Sequence, residues 1–357
     1  MKTYIKFIIN TFLKSFLFTI LIVLSLVIII NLLTELEFFK KFNVNIFFTI
    51  YLSLINSPSM IFEIMPFIML ISNQLFFIKL FNNNEIQVFK YSGLKNSKIL
   101  LIISLVTLVI GLLTISFYYN ASSNLKNHYL ELKSNYTSDG KYLAVINKNG
   151  LWIRDKIENK TLIINSSKID GNFLIDNFIT EFNNEFEVLR NIKSNKIDIK
   201  SKNWIIFDPE IISNNLSDRK NSIIIKSNFN YERIQSLFSN LSSLSFLELL
   251  ELKKNYELLN YSTIDVNIQI QKIISYPMYL ILMTIFSSVI MLNTKKFKNN
   301  TLQISVGLFF CVIIYYLNNL FNVLGTTEKI NSTISVWSPL LLLTFTIFLI
   351  TSKINEK

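Results

Sequence analysis

Apolar residues gather in six long blocks, at about 16–33, 58–81, 99–118, 268–292, 302–321 and 334–350. A bilayer core roughly 30 Å thick takes about 20 apolar residues in a helix. Each block therefore predicts a membrane span, three on either side of a long polar stretch. The segment 44–56 is also apolar, but it is short and polar residues interrupt it. It predicts an interfacial or re-entrant piece rather than a seventh span. The first block exceeds the apolar region of a cleaved leader and no small-residue cleavage site follows it, so a retained helix is expected.

Between the third and fourth blocks, residues 120–250 change period. Leu143, Val145, Leu151 and Ile153 alternate with other residues around Asn149-Gly150, a strong hairpin signal. Asp170-Gly171 separates the run 161–169 from 173–182, and further runs cover 187–192, 196–207 and 222–229, with Asp208-Pro209 ending one of them. Short strands with turns between them predict a sandwich or jelly roll, and Leu143, Val145, Ile153, Ile197, Ile199 and Ile205 are its interior candidates. Helical spacing returns at 245–259, where Phe246, Leu249, Leu250 and Leu252 lead back toward the membrane. The expected fold class is an α+β membrane protein, six transmembrane helices in a three-plus-three layout with an inserted periplasmic β jelly-roll-like domain. Its parts are 1–119 with the first three helices, 120–250 as the β domain, and 251–357 with the last three helices.

Charge orients this layout. The chain is 51% hydrophobic and 17% charged, with a formal net charge of +11. Basic loops resist translocation and stay in the cytoplasm. Lys2, Lys6 and Lys14 precede the first helix; Lys79, Lys90, Lys95 and Lys98 lie between the second and third, with only Glu85 opposing them. Lys295, Lys296 and Lys298 join the fourth and fifth, and Lys353 and Lys357 follow the sixth. The opposite loops are balanced, Glu35 and Glu37 against Lys40 and Lys41, and Glu328 against Lys329. Both termini are thus expected in the cytoplasm of a bacterial inner membrane, with the strand-rich segment in the periplasm. The basic excess reports topology and anionic lipid rather than nucleic acid.

Chemistry for catalysis is sparse. Cys311 is the single cysteine and His128 the single histidine, which leaves no material for a disulfide framework, a zinc cluster or a histidine triad. No phosphate-binding glycine loop and no G-x-S-x-G elbow is present. No cofactor, no metal and no enzymatic activity of the chain's own are expected. Glu181, Glu185 and Glu187 are expected on the solvated face of the strands. Glu63 and Lys272 fall near the outer ends of their helices, where a functional charge and a charge reaching for the interface are both open.

The loop between the second and third helices is the most informative stretch. Asn84 is expected to cap a short helix with its side chain, Glu85 to favour the first turn, Ile86, Phe89 and Tyr91 to give it one apolar side, and Gly93 to end it. An amphipathic helix here suits a transporter that receives force from a separate ATPase; it suits equally a surface helix that only packs beneath the bundle.

In this loop the chain resembles the lipopolysaccharide export permease family, LptF and LptG, which has a proline-containing second helix followed by a pattern like S-E-L-x-x-x-x-x-x-G. The matching residues are Pro58 and Pro66, then Asn84-Glu85-Ile86 and Ser92-Gly93. The run from Gly150 through Leu151, Trp152, Ile153 and Arg154 to Asp155 resembles an element of LptG members. Leu244 to Leu249 resembles the approach to the fourth helix, and Trp337-Ser338-Pro339 the start of the sixth. The resemblance runs in order along essentially the whole chain and favours LptG over LptF. It implies a permease that pairs with a homologous LptF-type permease and binds a cytoplasmic LptB-type ATPase dimer. Such a pair extracts lipopolysaccharide and passes it to a periplasmic β bridge of the LptC and LptA type, with a lateral opening between the first and fifth helices of paired subunits. Glu85 would dock on the ATPase and the helix from Asn84 to Gly93 would transmit its closure, making Asn84, Glu85, Ile86, Phe89 and Gly93 the coupling residues. Family members can carry a basic residue at the outer end of the first helix to meet a lipid phosphate. Here that place holds Thr34-Glu35, so Lys40 and Lys41, further out, are the phosphate candidates. The alternative reading is a membrane-anchored periplasmic receptor or scaffold without a motor; a membrane glycosyltransferase or hydrolase would need carboxylates or histidines that do not converge here.

Overall fold

The computed structural model describes residues 3–42, 44–134, 136, 151–157, 160–213, 216–231, 234, 240–258, 262–294 and 299–355. The chain divides into two compact units, Met1–Tyr129 with Ile264–Lys357, and Leu130–Thr263. In the first unit, α1 (Thr3–Phe39) and α2 (Ile46–Asn82) are followed by the loop helix α3 (Glu85–Tyr91) and α4 (Asn96–Leu113). A π-helical segment, Thr114–Tyr119, carries α4 into α5 (Asn120–Ser134). After the sheet come α6 (Phe246–Leu258), α7 (Ile264–Thr294), α8 (Asn300–Thr326) and α9 (Ser332–Asn355). Six helices among the described residues are long and apolar enough to cross a membrane, the third being α4 through α5.

Two expectations about the spans are corrected. The segment 44–56 is no separate piece: from Ile46 onward it is the first third of α2, which at 37 residues is about 55 Å long. The polar residues that seemed to interrupt it face α1 or its own backbone. Asn56 Nδ2 donates to Asn31 Oδ1 (3.3 Å), Asn31 Nδ2 to Ser57 Oγ (3.3 Å), and Ser53 Oγ to the Thr49 carbonyl (2.8 Å). Residues 120–134, expected within the strand-rich insertion, instead prolong the third span as helix.

Lipid tails are as apolar as leucine, so helices in a membrane associate through close packing and interhelical hydrogen bonds rather than through hydrophobic burial. Both operate around α2 and α7, whose apolar windows are each 67% buried, against 22% for α1 and 17% for α8. Asn73 Nδ2 donates to the Thr284 carbonyl (2.9 Å) and to Ser288 Oγ (2.8 Å), and Ser287 Oγ to the Leu70 carbonyl (2.8 Å). Thr107 Oγ1 brings α4 into the same group through Thr284 Oγ1 (3.3 Å). Glycines allow the closest approaches: a Cβ on Gly111 would lie 3.0 Å from Pro277 Cα, and one on Gly307 1.9 Å from Gln74 Nε2. Pro66 lacks an N–H and so leaves the carbonyl four residues back, Phe62, without its helical partner. The Tyr276 hydroxyl of α7 donates to that carbonyl at 2.6 Å, its ring stacked on Phe62 with centroids 4.4 Å apart.

Among the described residues of the second unit, eight strands form one antiparallel sheet. They are β1 (Leu151–Ile157), β2 (Lys160–Asp170), β3 (Phe173–Phe182), β4 (Val188–Asp198), β5 (Asn203–Phe207), β6 (Glu210–Ser213), β7 (Leu216–Arg219) and β8 (Ser222–Lys226). The order is β1-β2-β3-β4-β5-β8, with β6 on β4 and β7 on β6. β4 pairs with β3 along one edge and serves two partners on the other: residues 191–193 pair with β6 and 196–198 with β5. Asp170 faces Phe173 across a two-residue loop that begins with Gly171 at φ +54°, the position where such tight hairpins need glycine. The expected run 196–207 contains a reversal instead. Asp198 Oδ1 accepts from Lys200 N (2.9 Å) and Ser201 Oγ donates to the Asn203 carbonyl (3.0 Å), turning the chain between β4 and β5. The hairpin expected at Asn149-Gly150 lies outside the described residues.

Register arranges the buried face in rows. Ile153, Ile164, Ile179, Ile192 and Ile211 lie opposite one another across five strands, and all are buried. On one side of this band, Ser166 Oγ donates to Asn177 Oδ1 (2.6 Å) and Asn177 Nδ2 to the Ser194 carbonyl (3.3 Å). On the other side lie Asp155, Leu162, Glu181 and Arg190. Glu181, expected on the solvated face, is buried: it accepts from Lys160 Nζ (2.6 Å) and Arg190 Nε (2.5 Å). Burial pushes its carboxyl up, but the hydrogen bonds and charges of Lys160 and Arg190 outweigh that and hold it below the usual carboxylate range.

Two outcomes follow from this packing. Replacing Gly307 with Ala must push Gln74 aside and break its 3.1 Å bond to the Gln303 carbonyl. A loss of about 1–3 kcal/mol is expected, read from thermal unfolding in detergent, with partial recovery when Gln74 is also shortened to Ala. For Glu181 the folded-state value is depressed, so its stabilisation is present above the unfolded value and disappears as pH falls through the folded one. Glu181→Gln is expected to melt earlier than wild type at pH 7 and to lose the part of the acid destabilisation that wild type shows below the ordinary carboxylate range.

Candidate functional site: the helix between the second and third spans

α2 ends at Asn82, and the chain reverses within two residues. Asn84 makes the reversal by adopting a left-handed conformation, φ +57°, which asparagine tolerates better than most residues. Its N–H donates to the Phe81 carbonyl (3.1 Å), and its own carbonyl accepts from Gln87 N (3.0 Å) and Val88 N (3.3 Å). The expected side-chain cap is absent: in this conformation the Asn84 side chain makes no capping bond. Asn83 Nδ2 donates to Glu85 Oε1 at 3.3 Å instead, while Glu85 Oε2 is out of solvent with no hydrogen-bond partner among the described residues.

Ile86 is buried in a cluster with Ile8 and Phe12 of α1, Phe76, Phe77 and Leu80 of α2, and Ile99 and Ile103 of α4. Phe89 packs against the same cluster, its ring edge-on to Phe7 at 6.1 Å. Tyr91, expected on this apolar side, is 89% exposed, and Val88 is 59% exposed. Helix arithmetic explains both: at about 100° per residue, position 91 lies some 140° round from 86, whereas 89 lies about 60° away. Gly93 closes the helix at φ +76°, with Gly93 N on the Lys90 carbonyl (3.0 Å) and Leu94 N on the Phe89 carbonyl (2.9 Å), the paired bonds of a Schellman end. One face of α3 is therefore fixed to three spans, and the other presents Gln87, Val88, Lys90 and Tyr91 to solvent.

The other candidates fall elsewhere. Lys40 and Lys41 are exposed in the turn after α1. Glu35 is buried and accepts from the Tyr129 hydroxyl (2.6 Å), a partner distant in sequence that no local pattern signals. Glu63 is exposed and pairs with Lys126 Nζ at 3.6 Å. Of the interior candidates, Ile153, Ile197 and Ile199 are buried. Ile205 is only half-buried, because alternation places Trp204 and Ile206 on the inner face. Leu143 and Val145 lie outside the described residues. Sequence reasoning missed Asp155, which is fully buried and accepts from Ser227 Oγ (2.8 Å), Asn228 N (2.9 Å) and Asn228 Nδ2 (2.8 Å), tying β1 to the segment after β8. No group of three or more histidine, cysteine or acidic side chains able to hold a metal occurs among the described residues.

Six spans in a three-plus-three arrangement, with an antiparallel sheet inserted between the third and fourth and a loop helix fixed to the ends of three spans, define an α+β membrane protein. The chain belongs to the lipopolysaccharide export system permease family LptF/LptG, whose family model matches residues 6–353. Its class is therefore that of a permease of the lipopolysaccharide export ABC transporter, a transport protein and not an enzyme family. Comparison with curated proteins gives no match.

Gly93 can be tested on its own. A Cβ there meets nothing within 4 Å, so only backbone conformation resists substitution. Gly93→Val is expected to cost about 1–2 kcal/mol and to speed hydrogen exchange at the amides of residues 93 and 94, whereas Gly93→Asn should stay close to wild type.

Proposed function

We propose that this chain is one of two paired permeases that draw lipopolysaccharide from the inner membrane, and that α3 is where a separate cytoplasmic ATPase dimer docks and delivers force. The observation that carries this reading is the two-sided build of α3: Ile86 embedded among three spans, Val88 and Tyr91 open to solvent, and a Glu85 carboxylate oxygen without a hydrogen-bond partner among the described residues. A helix with that build transmits displacement, because a close-packed interior does not absorb it. The lysines at this end of the bundle support a cytoplasmic placement of α3 and both termini. The sheet is then periplasmic and stands as the jelly-roll element that hands lipid to a β bridge of the LptC and LptA type. The run from Gly150 to Asp155, whose last residue is the buried latch of β1, supports LptG over LptF. Lys40 and Lys41, exposed beyond α1, remain the candidates for lipid phosphate.

Glu85→Lys is expected to abolish co-purification with the co-expressed ATPase and to stop lipopolysaccharide release from proteoliposomes by tenfold or more. The melting temperature of the variant should stay within error of wild type, since Glu85 makes a single 3.3 Å side-chain bond. Unimpaired release by the variant would remove the coupling role. Failure of the wild-type chain to retain any cytoplasmic ATPase would favour a receptor or scaffold without a motor.

A further inference from the structure

Three neighbouring spans are irregular in the same layer of the bundle. α2 contains Pro58 and Pro66, α7 contains Pro277, and the third span passes through the π-helical segment 114–119. These irregularities touch. From the π segment, the Tyr118 hydroxyl donates to the Pro58 carbonyl at 3.0 Å and the Tyr119 ring lies 5.0 Å from Phe62. From α7, Tyr276, next to Pro277, bonds and stacks on Phe62. One turn before the π segment, Gly111 sits against Pro277.

A regular helix resists bending through its ladder of hydrogen bonds, and bends are found where a rung is missing or a residue is added. A single proline in a bundle of straight helices is held straight by its neighbours. Here the neighbours are interrupted at the same level, so no intact ladder crosses the layer in α2, α7 or the third span. On the α3 side of the layer, Asn73, Thr284, Ser288 and Thr107 bind the same three spans together.

We propose that this layer is a hinge, on which the halves of α2 and the third span remote from α3 move relative to the halves that carry it, with the Tyr276–Phe62 contact as its latch. The latch takes the carbonyl that Pro66 frees; in apolar surroundings that carbonyl cannot stay unpaired. It releases only when another donor, such as water in an opened groove, replaces the tyrosine hydroxyl. The hinge goes beyond the transport reading and does not depend on the substrate.

The test is pulsed-EPR distance measurement on the full chain in phosphatidylcholine nanodiscs, with Cys311→Ala as background. One label pair, at Phe47 and Val323, reports the half remote from α3; a second, at Asn82 and Leu302, reports the half that carries it. Tyr276→Phe, which keeps the stacked ring, is expected to widen the first distribution and leave the second unchanged. Pro66→Ala, which restores the missing N–H, is expected to narrow the first. An unchanged first pair in both variants would overturn the hinge, as would equal widening of both pairs, which marks general loosening. The measurement needs no nucleotide and no partner chain, so its failure would leave the coupling role of Glu85 standing.

Discussion

A backbone N–H or carbonyl inside hydrocarbon has no water to turn to, and the arrangement of this bundle follows from that constraint. The helices that carry the most buried polar groups cannot face lipid, and they are α2 and α7. Each supplies what the other lacks: Asn73 reaches the backbone and Ser288 of α7, Ser287 reaches the backbone of α2, and Tyr276 answers the carbonyl left by Pro66. With these two paired at the centre, α1 and α8, whose exposed faces are rich in Leu, Ile and Phe, are left to the periphery. Interhelical bonds of this kind average below about 1 kcal/mol each, so their value lies in fixing which faces meet, with the glycine contacts at Gly111 and Gly307 setting how closely.

The loop helix obeys the opposite regime. Seven residues cannot hold a helix in water by propensity, so α3 exists because tertiary contacts fix it. Ile86 and Phe89 supply the packing, the Asn84 reversal sets its direction, and the Gly93 closure ends it before α4 begins. The elements that make α3 stable are the same ones that tie it to three spans, and its solvent face is free of structural duty. That separation of faces arises from a two-residue connection to α2 that leaves α3 little freedom to reorient.

How much of this was legible in the sequence depended on whether the signal was local. Six spans, the inserted sheet, the Asp170-Gly171 turn and the Gly93 end all come from composition and spacing within a short window, and the structure contains each of them. The start of α2 was hidden because Thr49, Ser53 and Asn56 read as interruptions until their partners in α1 and in their own backbone are known. Residues 120–134 were hidden because a helix leaving the membrane loses the apolar run that announces it. Tyr91 looks apolar by residue type, but its angle around the helix puts it on the open side. Glu181, Asp155 and Glu35 could not be read at all: each is a buried carboxylate whose partners lie on other elements, and an acidic residue alone looks solvated.

Those buried carboxylates show what the sheet needs beyond apolar matching. The band is isoleucine on all five strands, and such a band fixes which face points inward more firmly than it fixes register, since a slip by two residues keeps the same side chains on the inner face. The rows on either side remove that ambiguity. Any slip of β3 against β4 separates Glu181 from Arg190 and leaves it only Lys160, and any slip of β1 moves Asp155 away from Ser227 and Asn228 and leaves that buried carboxylate without those partners. An unpaired buried charge costs more than the intact pair contributes. The polar rows therefore contribute less to the depth of the native state than to its separation from misregistered ones, much as Asn73 and Tyr276 select one helix pairing in the bundle.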